Sequence, residues 1–266
     1  MEKTPLSVAK ELLCFIRPEN CFFSAGIAAS GYIVFNGLNA ILLPLFAAAF
    51  MGTGASYAYN YIKDRKEDLV NRKRLNFFVN NTDKGMTLVT LLYAAGFLLA
   101  AGVSLASAAL YAALAAMSVL YSRNRIKEKF LVKNAYTGLV ISLSFLVGAA
   151  ATGFSLAMMP YVTIIFMLGF AANTLGDIRG RKGDEAIGMT TLPIAIGAEK
   201  TKLVIYSLLL LTSAAIVLSG SRAFYPIVPF TALAVMCLSL NHLALSRMSM
   251  LSSFALLPLF ILAGIW

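Results

Sequence analysis

Charge is nearly confined to five short segments of this chain, and nine apolar stretches lie between or beside them. These stretches run near 20–36, 39–61, 86–104, 106–122, 135–153, 159–176, 202–219, 224–241 and 248–266. A helix needs roughly 17–25 predominantly apolar residues to cross the hydrocarbon core of a bilayer, and only helices and closed barrels satisfy their backbone there. Of the 266 residues only 13% are charged, against about 25% in an ordinary soluble domain. The pattern predicts an all-α membrane protein with nine transmembrane helices. A single domain over 1–266 is expected, since no linker or low-complexity tract interrupts it.

The charges orient the chain. With the N-terminus in the cytoplasm, the cytoplasmic segments are 1–19, 62–85, 123–134, 177–201 and 242–247. Every Lys and Arg except Arg222 lies within these segments or, like Lys202, at their border. That is the positive-inside rule. All 12 Asp and Glu lie there too, which the rule does not require, so chemistry is expected on the cytoplasmic face of an integral protein of the cell membrane. The net charge of +10 is spread over membrane-flanking loops, where anionic headgroups account for it. No nucleic-acid partner is expected. Cys14, Cys21 and Cys237 form neither a metal spacing nor a disulfide framework. His242, the single histidine, argues against a zinc site or a Ser-His-Asp triad.

Two acidic clusters stand where apolar stretches meet basic patches. The first is Asn60, Asp64 and Asp68; the second is Asn173, Asp177 and Asp184. Residues at i, i+4 and i+8 share one face of a helix, so Asn60, Asp64 and Asp68 form a stripe over about two turns. Mg²⁺ takes one or two carboxylates and fills its shell with water and substrate phosphates. Two facing clusters suit a diphosphate held between metal ions. Alone, Asp64-Arg65-Lys66-Glu67-Asp68 also fits a solvated, ion-paired loop, each pair worth under about 1 kcal/mol. The recurrence at the ends of two descending stretches argues against that reading, and so does an amide at the apolar position 60. The stretch ending at Tyr121-Ser122 descends to the same face, which fits helix pairs around a central cavity.

These motifs resemble those of the UbiA superfamily of intramembrane prenyltransferases. Asn60, Asp64 and Asp68 match its N-x-x-x-D-x-x-x-D motif. Asp177 to Asp184, followed by Gly188-Met189-Thr190-Thr191-Leu192-Pro193, resembles its second acidic stretch. Tyr121-Ser122, Lys127 and Leu131-Val132-Lys133-Asn134 resemble its Y-S…L-K…K-N stretch. The likeness covers nearly the whole chain. Within the superfamily, Ile16-Arg17-Pro18-Glu19-Asn20-Cys21 resembles the opening of archaeal digeranylgeranylglyceryl phosphate synthases. Two positions depart from the pattern. Gly180 stands where the family usually has an acid, with Asp177 as the substitute ligand, and Asn71-Arg72-Lys73-Arg74-Leu75 lacks the usual prolines.

The resemblance implies a UbiA-like fold and Mg²⁺ held by Asn60, Asp64, Asp68, Asp177 and Asp184, the residues also expected to be catalytic. Arg72, Arg74, Tyr121, Lys127, Lys133, Asn173 and Arg181 are the expected contacts to the diphosphate of a polyprenyl donor, geranylgeranyl above all. The acceptor is a membrane lipid such as geranylgeranylglyceryl phosphate or, alternatively, an aromatic quinone precursor of 4-hydroxybenzoate or dihydroxynaphthoate type. A transporter is the rival from another class, but the centres of the stretches are bare of charge. Donor length and oligomeric state are not legible in the sequence.

Overall fold

The computed structural model describes residues 5–65, 69, 75–186, 188–220 and 222–263. All regular structure among them is helical. The elements are α1 (Pro5–Ile16), α2 (Pro18–Asn36), α3 (Leu42–Lys63), α4 (Phe77–Asn80), α5 (Thr82–Val103), α6 (Leu105–Arg123), α7 (Val132–Ala149), α8 (Met159–Ala186), α9 (Leu192–Ala195), α10 (Ala198–Leu218), α11 (Ile227–Ser239) and α12 (Leu243–Leu262), with short 3₁₀ turns between some of them. Six segments are long and apolar enough to cross a membrane by length and composition. They are Thr82–Val103, Leu105–Arg123, Val132–Thr152, Leu156–Ala186, Ala198–Leu218 and Arg222–Ser239. The chain is an integral membrane protein.

The long helices α2, α3 and α12, outside that set, bury small and polar residues: Ser24, Ser30 and Gly31 in α2, Gly52 and Gly54 in α3, and Ser246, Ser249 and Ser253 in α12. Between membrane helices, close packing and hydrogen bonds replace the hydrophobic drive available in water. Ser246 and Ser249 accordingly donate to the carbonyls of Ala234 and Phe230 on α11, each at 2.8 Å.

Helix starts follow local chemistry. Pro18, Pro44, Pro160 and Pro193 sit in the first turns of α2, α3, α8 and α9, where the missing N–H and fixed φ are tolerated. The side chain of Ser104 accepts from the Ser107 N–H and caps α6. One boundary differs from the expectation: residues 177–186, read as part of a loop, continue α8 as helix. Polarity had suggested a loop, yet a 28-residue helix rises about 42 Å and outruns a core of about 30 Å. Its last turns are polar because they stand beyond the apolar layer.

Helix α2 packs closely on α7, and α7 on α8. Gly31 and Gly148 allow the first approach, since a Cβ on Gly148 would overlap the Ala28 carbonyl and one on Gly31 the Phe145 carbonyl. The obstacles are backbone atoms, so the helices themselves must part. Gly148→Ala should lower stability by about 1–3 kcal/mol. Gly102→Ala, whose Cβ meets nothing within 4 Å, should be neutral or slightly stabilising. Thermal unfolding of the two variants in detergent checks the contrast.

At one end of this packing, Tyr161 meets Phe224 edge-on at 4.9 Å and Phe35 at 5.3 Å, with Phe145 beneath. At the other end α1 lies against α3 and α4, with Phe15 stacked on Phe78 at 5.2 Å. Asn76, just before α4, donates to the Glu11 carbonyl at 2.6 Å.

Candidate functional site

The end of α3 carries the first cluster. Asn60 lies in its last turn and Asp64 at its C-cap. The Asn60 Nδ2 donates to Asp64 Oδ2 at 2.9 Å, and Ser122 Oγ, from the end of α6, donates to Asn60 Oδ1 at 3.0 Å. Both faces of the amide are therefore used, which answers the cost of placing it at an apolar helix end. A carboxylate at a helix C-terminus opposes the helix dipole, typically by about 0.3–1 kcal/mol. Asp64 is thus placed against local stability.

The second cluster runs along α8. Asp177 is buried, 3% exposed, and pairs through Oδ1 with Lys133 Nζ at the start of α7. Asn134 Nδ2 donates to Asp177 Oδ2 at 3.0 Å and to Thr174 Oγ1 at 2.8 Å. A buried carboxylate without such partners would not stay ionised. Asn173 lies one turn before Asp177 and Asp184 two turns after it, so the three share a face. Burial raises the Asp184 carboxyl above the ordinary carboxylate range, with Lys133 opposing the shift and Asp177 adding to it. Gly180 adjoins this carboxylate: a Cβ there would lie 3.6 Å from Asp184 Oδ2, in ordinary contact.

Beneath the clusters is a cavity of about 350 Å³ walled by α2, α3, α6, α7, α8 and α12. Asn60, Tyr121, Ser122 and Asn173 line it, with Ile27, Leu114, Val140 and Ile141 among its apolar residues. Tyr121 packs on Tyr136 at 5.6 Å, and both Asp64 and Asp177 act electrostatically on its hydroxyl. Residues from sequence positions 60 to 173 thus line one cavity. Arg181 follows Asp177 by one turn on the same helix face. Asp68, Arg72 and Arg74 lie outside the described residues, as does the side chain of Lys127.

Among the described residues no group of three or more His, Cys, Asp or Glu side chains clusters as a metal cage. The donors present are hard oxygens, one or two carboxylates on each side. That set fits Mg²⁺, which keeps waters and substrate phosphates in its shell, and does not fit zinc.

Sequence reasoning missed three participants. Ser122 and Asn134 fell inside quoted motifs, but their partners are fixed only by the approach of α6 to α3 and of α7 to α8. Arg247 reads in sequence as one of the loop cations of 242–247, whereas the structure places it inside α12, lining the cavity. Its Nε is buried without a hydrogen-bond partner, as is Asn173 Nδ2. A lone Arg a turn inside an apolar helix was the available signal.

Comparison with known proteins matches residues 21–263 to the UbiA prenyltransferase family. A digeranylgeranylglyceryl phosphate synthase of Methanoregula boonei is 29% identical over 199 residues, covering 72% of this chain and 70% of that one. The apo structure of a UbiA homolog from Aeropyrum pernix K1 superposes with a TM-score of 0.79 at 18% identity, covering 94% of this chain and 100% of the other. A UbiA homolog from Archaeoglobus fulgidus, bound to GPP and Mg²⁺, gives 0.71 at 14% identity, covering 93% and 99%.

Proposed function

Because the chain belongs to the UbiA prenyltransferase family, we propose that it transfers a geranylgeranyl group from its diphosphate to a lipid-phase acceptor such as geranylgeranylglyceryl phosphate, with Mg²⁺. The observation that carries this reading is one largely apolar cavity lined by Asn60 of the first cluster and Asn173 of the second, with the Tyr121 hydroxyl in its wall under the charge of both Asp64 and Asp177. The synthase activity named for the Methanoregula boonei relative and the GPP and Mg²⁺ of the Archaeoglobus fulgidus neighbour support it. We read α2, α3 and α12 as crossing the membrane too, which makes nine spans in one domain around the cavity. The N-terminus and both clusters then face the cytoplasm, in keeping with the placement of Lys and Arg.

Asn60 with Asp64 on one side, and Asp177 with Asp184 on the other, would hold Mg²⁺, with Asp68 extending the first set. The ion supplies charge neutralisation to a departing diphosphate. Lys133, beside Asp177, adds fixed positive charge at the same place, a role shared in this reading with Lys127, Arg72, Arg74 and Arg181. Tyr121 and Asn173 present polar groups to the diphosphate from the cavity wall. Apolar side chains below the mouth exclude water while an allylic cation develops at C1, so the acceptor hydroxyl, not water, meets it.

Purified protein in detergent, given geranylgeranyl diphosphate and geranylgeranylglyceryl phosphate, should release pyrophosphate with Mg²⁺ and form the coupled diether product. EDTA should stop both. Pyrophosphate release that proceeds undiminished in EDTA would sink the reading. Coupling to 4-hydroxybenzoate instead would move the acceptor to the aromatic class.

A further inference from the structure

Arg247 is the one charged side chain in the cavity wall among the described residues, and no carboxylate lines it. Its Nε is buried without a partner. A buried donor without an acceptor is costly and calls for an acceptor-rich group to complete it. The same wall carries Asn20 and Ser24 of α2 and Tyr57 of α3. The Tyr57 hydroxyl is within electrostatic reach of both Arg247 and Arg17. Arg17 is occupied, donating to Tyr61 through Nε and Nη2 at 3.1 and 2.7 Å.

The acidic clusters belong to α3 and α8, whereas Arg247 comes from α12. An ionisable group within a membrane helix is expensive and marks a ligand path by default. A planar guanidinium suits a phosphate or carboxylate. We infer that Arg247 anchors an anionic headgroup on the acceptor, a phosphate monoester or a carboxylate, and so divides the cavity into a donor end at the acidic clusters and an acceptor end at α12. This rests on the prenyl-transfer reading and adds the charge of the acceptor to it.

The test compares wild type with Arg247→Gln and Arg247→Lys in detergent. Three acceptors are offered: geranylgeranylglyceryl phosphate, its phosphate-free alcohol and 4-hydroxybenzoate. Arg247→Gln should raise KM for the anionic acceptor about 10- to 100-fold, the usual weight of a charge-assisted hydrogen bond. It should leave KM for geranylgeranyl diphosphate within about twofold and be indifferent with the neutral alcohol, while Arg247→Lys keeps most of the affinity. Whichever anionic acceptor shows the rise identifies the headgroup. A rise in donor KM instead, equal losses on charged and neutral acceptors, or no change would each overturn the inference.

Thermal stabilisation by each acceptor alone, without donor, gives a readout independent of turnover. Stabilisation of wild type but not of Arg247→Gln, in a protein that releases no pyrophosphate, would uphold the anchor and remove the prenyl-transfer reading. Turnover in wild type with no stabilisation by either anionic acceptor, and none lost in Arg247→Gln, would do the reverse.

Discussion

Asp64→Asn should lower Mg²⁺-dependent turnover about a thousandfold, roughly 4 kcal/mol of barrier, while the protein stays folded. The two halves of that expectation have separate grounds. Asp64 belongs to the pair of carboxylate sets proposed to hold the metal, and asparagine keeps its shape without its charge. On the stability side, Asp64 occupies the C-cap of α3, where a negative charge works against the helix dipole. Its neutral replacement relieves that opposition and retains a polar partner for Asn60. Pyrophosphate release, measured beside the thermal midpoint in detergent, separates the two. Activity within tenfold of wild type would remove Asp64 from the reaction.

Asp177→Ala is expected to fail differently, by losing both turnover and fold stability. Asp177 is buried and satisfies Lys133 and Asn134 together. Removing it leaves a largely buried ammonium without its counter-charge, a change that typically costs about 3–5 kcal/mol. The double variant Lys133→Met with Asp177→Ala removes both charges and should recover most of the lost stability, since an apolar pair of similar volume is tolerated where a lone charge is not. It should recover none of the turnover. Thermal midpoints of the single and double variants decide the point: a double variant no more stable than Asp177→Ala would mean that the ion pair is not what the aspartate stabilises.

The contrast between these two aspartates shows how far the sequence could be read. Spacing alone placed Asn60 and Asp64 on one helix face, because i and i+4 are neighbours whatever else the chain does. The apolar stretches gave the helical architecture for a similarly local reason. What spacing could not supply was the partnership of Asp177 with Lys133 and Asn134, more than forty positions away, which depends on how α7 lies against α8. Nor could it tell a polar helix end from a loop at 177–186, since both expose charge. Arg247 was hidden by its neighbourhood: beside Asn241 and His242 it looked like one more flanking cation, and only the packing of α12 turns it inward.

The cavity has one further consequence, set by its depth. Its lining runs from Tyr136 to Ser144 on α7 and from Leu114 to Ser122 on α6, eight residue steps in each case and so about 12 Å of helix rise. An extended chain of four isoprene units is longer than that. It cannot lie straight between the acidic mouth and the floor near Ile27; it has to fold back or pass out between helices toward the bilayer. The surroundings of the tail beyond its first units are then lipid as much as protein. Such a site grips the reacting head of its donor and measures the length of the tail only weakly.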